Sequence, residues 1–189
     1  MRRRGSAGKA VEQEPSVKEG LIQVYTGDGK GKTTAAFGQA VRAAGQGLKV
    51  WIIQFLKGGR ETGERIALKE HPLIRIEAFG RAVWVDRGRP AEEDKKLAQQ
   101  ALARAFSILQ KGEVDLLILD EVNVAIAYGL LSVNEVLGLL NRKPKSVEVI
   151  LTGREAPPQI LERADLITEM KKVKHPAEKK IAARRGIEY

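Results

Sequence analysis

The sequence predicts a doubly wound α/β domain with a mainly parallel sheet and helices on both faces. Segments with strand character alternate along the chain with segments whose apolar residues have helical spacing. Several strand segments, of which 115–120 (DLLILD) is the clearest, are continuously apolar, which is typical of strands buried on both faces. The 189 residues are enough for one domain with a sizeable core.

Local composition predicts each element in turn. Gly45 and Gly47 favour the end of the first helix, at 33–44. Pro90 and the acidic run at 92–94 favour the start of a long helix at 91–110. The predicted strands span 21–25, 49–55, 73–79, 115–120, 146–152 and 165–170, and the other predicted helices span 122–131, 133–140 and 157–164.

The two ends of the chain carry most of its positive charge. The formal net charge is +9, to which residues 1–20 contribute about +2 and residues 171–189 about +5. Such a balance indicates a polyanionic partner, either a polymer or surface or a phosphorylated small molecule. Residues 1–19 have little apolar content and are predicted to form a flexible arm, so the domain is predicted at 20–189.

Several classes of protein are excluded by composition. The chain has no cysteine, which excludes disulfides, a Cys-ligated zinc site and a cysteine nucleophile. Its absence is compatible with the reducing cytoplasm, where we expect the protein. No apolar run approaches the roughly 18 residues that span a bilayer, so no membrane association is expected. No apolar stretch follows the N-terminal arginines, which argues against a secretory signal.

The segment 26–34 (TGDGKGKTT) has the composition and context of a phosphate-binding loop, since it lies between a predicted strand and a predicted helix. Its glycines let successive N–H groups point at one centre beside the positive end of the helix. Lys32 can reach the outer phosphates, and the Thr33 hydroxyl can ligate Mg²⁺. Thr26 stands where the usual pattern has a glycine, and Lys30 is a second lysine inside the loop. The alternative is a glycine-rich turn with solvated lysines.

Asp120 and Glu121 end the most apolar predicted strand. A carboxylate at the carboxyl end of a buried strand would face the phosphate loop and hold Mg²⁺, directly or through water. The alternative for Asp120 is a helix N-cap. Glu121 is the candidate base or water-positioning group, because the chain has only two histidines and each precedes a proline.

An ordered series of short blocks extends over residues 20–189. The blocks are TGDGKGKTTAAFG at 26–38 with Arg42 beyond it, VWIIQFLKG at 50–58 followed by Gly63 and Glu64, LDE at 119–121 followed by Ala127 and Tyr128, LTGR at 151–154, VKH at 173–175, and GIEY at 186–189. The series resembles the ATP:corrinoid adenosyltransferases, the type that also adenosylates cobyrinic acid a,c-diamide. Thr at the first loop position resembles that family's own variant. The predicted fold class is therefore a P-loop NTPase of the RecA-like type.

The resemblance implies a reaction in which the reduced cobalt of a corrinoid, cobalamin or cobyrinic acid a,c-diamide, attacks the 5′ carbon of ATP and releases tripolyphosphate. This step belongs to adenosylcobalamin biosynthesis or salvage. The nucleophile has no proton to lose, which agrees with the shortage of acid–base groups. The leaving group gathers negative charge that the loop, Lys32 and Mg²⁺ or Mn²⁺ would stabilise. The resemblance also implies a homodimer and a reductase that donates electrons.

The resemblance further implies roles for individual residues. Lys32, Thr33 and Glu121 would be catalytic, and Thr33 would ligate the metal with Asp120 and Glu121. Phe79 and Trp84, which flank Gly80 and Arg81, would contact the corrinoid; the alternative for such aromatic residues is core packing. The residues expected to contact the nucleotide are Gly27, Asp28, Gly29, Lys30, Gly31, Lys32, Thr33, Thr34, Arg42 and Arg154. The alternative for Arg42 is a plain surface residue, and the alternative for Arg154 is a loop cation.

One position departs from the family pattern, since Ala82 stands where family members carry a further glycine. Other functions that use the same loop stay open at this point. A RecA-like, nucleic-acid-dependent ATPase would use the same acidic pair and the basic charge, but no aromatic-rich basic stripe marks a strand-binding groove. A small nucleoside kinase and a non-catalytic nucleotide sensor are further alternatives.

Overall fold

The structure is a computed structural model that describes residues 17–59 and 61–188. Of the predicted arm at 1–19, residues 1–16 lie outside this part. None of the helices in the described ranges has the length and apolar character needed to cross a membrane. The elements are β1 (Ile22–Thr26), α1 (Lys32–Gly45), β2 (Val50–Gln54), α2 (Gly63–Leu68), β3 (Ile74–Ala78), α3 (Glu92–Lys111), β4 (Leu116–Asp120), α4 (Val122–Ala127), α5 (Val133–Leu140), β5 (Glu148–Thr152), α6 (Pro158–Arg163), β6 (Leu166–Glu169) and a 3₁₀ turn (Pro176–Lys179).

All six strands form one parallel sheet, in the order β3-β2-β4-β5-β1-β6. Parallel neighbours need crossover connections, and helices supply most of them here. The predicted doubly wound α/β fold is confirmed. Strand β5 separates β1, which leads into the phosphate loop, from β4, which ends at Asp120. The carboxyl ends of these three strands therefore meet at one edge of the sheet.

Two hydrophobic cores, one on each face of the sheet, hold the domain together. Successive residues of a strand point to opposite faces, so Leu117 and Leu119 join one core while Leu116 and Ile118 join the other. Helix α1 packs its alanine-rich face and Phe37 on the second core. The helices α3, α4, α5 and α6 cover the first. This double coverage is why the strands read as continuously apolar.

The register of the sheet aligns polar residues at its carboxyl edge. Gln54 of β2 lies opposite Asp120 of β4, and Leu119 lies opposite Leu151 of β5. The next residue of β5, Thr152, therefore lies beside Asp120. Gln54, Asp120 and Thr152 are each at most 1% exposed, although all three are polar. Three buried polar side chains in one row need one another as partners.

The structure corrects some predicted boundaries. The helix predicted at 122–131 ends at Ala127, because Gly129 adopts a left-handed conformation (φ 69°) and terminates it. The strand predicted at 146–152 begins two residues later, at Glu148. Helix α2 and the 3₁₀ turn were not predicted; each is one or two turns long, too short to show a hydrophobic period. The other predicted elements agree with the structure to within one residue at each end.

Candidate nucleotide and corrinoid site

The phosphate loop connects β1 to α1 through backbone conformations that favour glycine. Gly27 and Gly31 have φ values of 92° and 117°. A Cβ atom on Gly27 would also lie 2.5 Å from the carbonyl oxygen of Met170, in the segment that follows β6. Gly31 is the residue that precedes helix α1, so the loop delivers the chain directly into the positive end of that helix. Strand, loop and helix thus have the backbone arrangement that the sequence predicts for a phosphate-binding loop.

Lys32 is the buried cation of the loop. Its side chain folds back so that Nζ donates to the carbonyl oxygens of Gly27 and Gly29, each at 2.7 Å. Burial lowers the pKa of Lys32, the charge of Glu121 raises it, Arg154 lowers it again, and the net direction is downward. These contacts hold the ammonium group at the centre of the loop, where a phosphate would replace the two carbonyl oxygens.

Asp120 accepts four hydrogen bonds and is fully buried. The hydroxyls of Thr33 and Thr152 donate to Oδ1, each at 2.8 Å. Gln54 Nε2 donates to Oδ2 at 3.0 Å, and Lys57 Nζ donates to the same oxygen at 2.7 Å. Burial alone raises the pKa of Asp120, but the charge of Lys57 and these hydrogen bonds outweigh it and lower the pKa. Asp120 is therefore an ionised anchor that fixes the Thr33 hydroxyl.

Lys57 lies in the site although the sequence pattern predicts no role for it, in spite of its place within the block at 50–58. Its Nζ lies 2.7 Å from Asp120 Oδ2, 3.1 Å from Thr33 Oγ1 and 3.6 Å from Glu121 Oε1. Burial lowers the pKa of Lys57, but the carboxylates of Asp120 and Glu121 raise it by more. The net pKa is therefore higher than usual and the ammonium group stays charged. The sequence places Lys57 just after a predicted strand, but only the structure shows that this strand, β2, pairs with β4 and so brings Lys57 to Asp120.

Glu121 leaves β4 in a strained conformation. Its φ of 65° lies in the left-handed region, which is uncommon outside glycine, asparagine and aspartate. The backbone N–H donates to Thr152 Oγ1 at 2.9 Å, which holds this turn. Burial raises the pKa of Glu121, the charge of Lys57 lowers it, and the net direction is upward. Backbone strain of this kind persists where the surrounding structure fixes it, and it is often found at functional sites.

The donors gathered here suit a hard divalent cation. Thr33, Asp120 and Glu121 offer a hydroxyl and two carboxylates, the oxygen ligands that Mg²⁺ prefers. Within the described residues, no group of three or more His, Cys, Asp or Glu side chains forms a closed metal cage. Mg²⁺ is usually held by one or two carboxylates together with substrate phosphates, so this partial ligand set fits it.

The other residues predicted to contact the nucleotide lie outside the cluster formed by Lys32, Thr33 and Asp120. Lys30 points away, since Nζ donates to the carbonyl oxygen of Ile187 at 2.7 Å. Arg42 is exposed and donates to Gln39 on its own helix, about 15 Å along the axis from Lys32. Thr34 is exposed as well. Arg154 follows β5, and its charge acts on Lys32 and Asp28, so it belongs to the rim of the site.

Glu188 connects the C-terminal segment to the phosphate loop through hydrogen bonds from Arg184 and Lys30, which are called the clasp below. Its carboxylate accepts from Arg184 at 3.0 Å and from Lys30 at 3.2 Å. Hydrogen bonds from the Arg184 side chain and backbone, together with the one from Lys30, outweigh desolvation and lower the pKa of Glu188 to about 2. The same segment also bonds at its other end, where the Lys172 N–H donates to Asp28 Oδ1 at 3.2 Å.

We expect the Glu188 carboxyl carbon to titrate near pH 2 in a ¹³C NMR titration. Because the folded-state pKa lies below the ordinary value of 4.5, the clasp stabilises the folded chain above about pH 4.5 and is lost as the pH falls from there toward 2. The variant Arg184→Met should move the titration up toward 4.5. A wild-type midpoint above 4 would contradict the clasp.

A second loop, at 79–90, follows β3 and exposes aromatic side chains near the carboxyl edge of the sheet. Trp84 is 85% exposed, so it is not a core residue, whereas Phe79 packs partly on the first core. Arg81 anchors the loop through two hydrogen bonds to the buried carboxylate of Asp94, at 2.6 and 2.7 Å. Asp94 also accepts from the Ala91 N–H, which ties the loop to the start of α3.

Two further contacts fix this loop relative to the segments that follow β5 and β2. Arg87 makes a bidentate ion pair with Glu155, which follows β5, and lies 5.8 Å from the ring centre of Tyr128. A Cβ atom on Gly59 would lie 2.1 Å from Cα of Ala82, so the segment after β2 packs directly on this loop. The aromatic surface is therefore part of the same structural unit as Lys57 and Asp120.

Comparisons with known proteins show the family of this chain. Residues 18–189 match the family model described as ATP:corrinoid adenosyltransferase BtuR/CobO/CobP. The chain is 40% identical over 173 residues to the corrinoid adenosyltransferase of Escherichia coli, covering 91% of this chain and 87% of that one. It is 36% identical over 194 residues to the corrinoid adenosyltransferase of Pseudomonas aeruginosa, covering 100% and 95%. The corresponding protein of a Sinorhizobium species is 34% identical over 193 residues, covering 100% and 89%. This chain belongs to the ATP:corrinoid adenosyltransferase family.

Proposed function

We propose that this protein transfers the 5′-deoxyadenosyl group of ATP to the reduced cobalt of a corrinoid and releases tripolyphosphate. One observation carries the proposal: a buried lysine, a threonine hydroxyl and an acidic pair lie around a phosphate loop, and an anchored loop with an exposed tryptophan packs on the same edge. The first group suits a triphosphate, and the second suits a large, flat and mostly apolar partner.

The phosphate side of the site would act on the leaving group. As the 5′ carbon–oxygen bond breaks, its electron pair passes to the triphosphate oxygen, while the cobalt supplies the pair for the new cobalt–carbon bond. Lys32 and the N–H groups of 27–34 donate to the oxygens that gain charge. Arg154 adds positive potential at the rim. No side chain needs to accept a proton, so Glu121 is free to serve as a metal ligand.

Thr33 and Glu121 would hold Mg²⁺ together with phosphate oxygens. When bound, Mg²⁺ supplies Lewis-acid stabilisation of charge on the phosphate oxygens. Asp120 would not ligate the metal itself but would orient the Thr33 hydroxyl, because its two oxygens already accept four hydrogen bonds, one of them from Thr33. This assignment refines the three-ligand set expected from the sequence. Mn²⁺ has the same preference for oxygen ligands and is the practical probe for this site.

The corrinoid would lie against the loop at 79–90. The ion pair between Arg81 and Asp94 holds the loop in place before any ligand binds, which lowers the cost of ordering it. A cytoplasmic homodimer that receives electrons from a separate reductase is part of the same proposal, and it rests on family resemblance and on the absence of cysteine.

The reaction is tested by incubating the protein anaerobically with ATP, Mg²⁺ and a chemically reduced corrinoid. We expect a photolabile cobalt–carbon product and tripolyphosphate in equal amounts. An otherwise identical incubation with oxidised corrinoid should give neither product. Formation of ADP and orthophosphate alone would contradict the proposal and favour the ATPase alternative; stimulation of that hydrolysis by DNA would identify a nucleic-acid-dependent enzyme.

We expect Trp84→Ala to raise the KM for the corrinoid about tenfold and to leave the KM for ATP unchanged, because an aromatic side chain loses most of its contact area when truncated. The matched control is Trp51→Phe. Trp51 is the only other tryptophan in the chain, and it lies under Arg104, 4.7 Å from the guanidinium carbon. Steady-state kinetics with each substrate varied separately measure both constants. Equal shifts in both variants would contradict the assignment of Trp84.

A further inference from the structure

The ammonium group of Lys57 lies where the proposed metal site has its centre. Nζ lies within 3.6 Å of one oxygen from each of the three expected ligand residues, Thr33, Asp120 and Glu121. Lys57 itself comes from a different strand end than any of them. A lysine ammonium is a compact point charge that donates but cannot accept hydrogen bonds. It therefore competes directly with any other cation for these oxygens.

The hydrogen bonds around Thr33 make this competition specific. The Thr33 hydroxyl donates its proton to Asp120 and accepts from Lys57 Nζ at 3.1 Å. A hydroxyl that ligates a metal must offer an oxygen lone pair to it, and here Lys57 is directed at that oxygen. The Thr33 hydroxyl can keep donating its hydrogen bond to Asp120 whether Lys57 or a metal ion lies on the other side of its oxygen. Only the cation on the other side of the oxygen has to change.

The backbone fixes Lys57 in this position. Leu56, which precedes it, has a φ of 64°, an uncommon conformation for a leucine. The Lys57 N–H donates to the carbonyl oxygen of Phe79, and Gly80 packs so closely that a Cβ atom there would lie 2.9 Å from the Lys57 nitrogen. The Lys57 side chain is 24% exposed, and the backbone contacts that fix the residue do not involve Nζ.

We propose that Lys57 is a resident cation that occupies the metal position of the nucleotide-free protein and yields it when a divalent cation arrives together with a triphosphate. This inference rests on the metal site proposed above. The positive charge of Lys57 weakens the binding of free metal ions to the site, so that the metal ion and the nucleotide bind together. The two bindings are therefore coupled, and the coupling depends on the charge of Lys57.

The test uses the full-length protein without ATP or corrinoid, and Mn²⁺ as the probe. Free Mn²⁺ is measured by electron paramagnetic resonance for the wild type and for Lys57→Met, Lys57→Gln and Lys57→Arg. We expect Lys57→Met and Lys57→Gln to bind Mn²⁺ at least about tenfold more tightly than the wild type, because a positive charge a few ångströms from the ion is removed. Lys57→Arg keeps the charge and should stay close to the wild type. Lys95→Met, on the exposed part of α3, is the matched control and should change nothing.

A second measurement tests the coupling itself. Tripolyphosphate should increase the Mn²⁺ affinity of the wild type by a larger factor than that of Lys57→Met, since the variant has no ammonium to displace. Lys57→Met should also gain more thermal stability from Mn²⁺ than the wild type does, because Mn²⁺ replaces the missing positive charge. Mn²⁺ affinities that are equal to or weaker than the wild type in both neutral variants overturn the proposal. So does a neutral variant that stays unfolded in saturating Mn²⁺. These results do not depend on whether adenosyl transfer is observed.

Discussion

Lys32→Ala is expected to lower the rate of adenosyl transfer by a factor of about 10³, which corresponds to one lost oxyanion donor in a buried site. The fold should survive. Among the residues that the structure describes, the Lys32 side chain makes two hydrogen bonds, both to carbonyls of its own loop, and its removal relieves the cost of burying a charge. Circular dichroism and thermal unfolding measure the fold, and release of tripolyphosphate measures the rate.

Two further variants sharpen this prediction. Lys95→Ala removes an exposed lysine whose ion partner is Glu92 on the same helix, and it should transfer at the wild-type rate. Lys32→Arg retains the charge but replaces a compact ammonium by a planar guanidinium, which the space between Gly27 and Gly29 does not fit; it should be nearly as slow as Lys32→Ala. A transfer rate for Lys32→Ala within a few-fold of the wild type would reject the role of this lysine.

Much of the fold and the phosphate half of the site could be predicted from local sequence. The glycines of 26–34 and the continuously apolar strand before Asp120 each determine structure within a few residues. The parallel sheet then brings strand ends together, so that Thr33 and Asp120 meet although 87 residues separate them. Local pattern and topology were enough for that contact.

Lys57 and Thr152 could not be identified in the same way. Each acts through a register that pairs β4 with β2 on one side and with β5 on the other, and no local pattern states which strands are neighbours. The anchoring of Trp84 through Arg81 and Asp94 is similar, because an ion pair across 13 residues depends on how the loop folds. The local sequence pattern therefore does not predict which strands are neighbours or which side chains pair across a folded loop.

Asp120→Ala is expected to destabilise the protein by about 3 kcal/mol, because four hydrogen-bond donors lose their acceptor and Lys57, whose side chain is 24% exposed, loses its closest carboxylate. For a chain of this size, the unfolding temperature should fall by about 6–12 °C. Four hydrogen bonds are lost at once, and the released Thr33 hydroxyl is no longer oriented, so transfer should fall as well. Asp165→Ala is the matched control: that exposed aspartate accepts one hydrogen bond from the Ile22 N–H, and its loss should be smaller.

The double variant Asp120→Asn/Lys57→Met separates charge from packing. If the cost of losing Asp120 comes from the uncompensated lysine, removing both charges should recover about 1–3 kcal/mol relative to the summed effects of the single variants Asp120→Asn and Lys57→Met. The pH dependence supplies a second, independent check. The pKa of Asp120 lies below the ordinary value of 3.8, so its ionised form stabilises the folded state above that pH and the contribution disappears as the pH falls further. The wild type should therefore lose stability in acid more steeply than the double variant. Additive single-variant effects with parallel acid profiles would show that Asp120 and Lys57 act independently, and the central contact of the site would then have been misassigned.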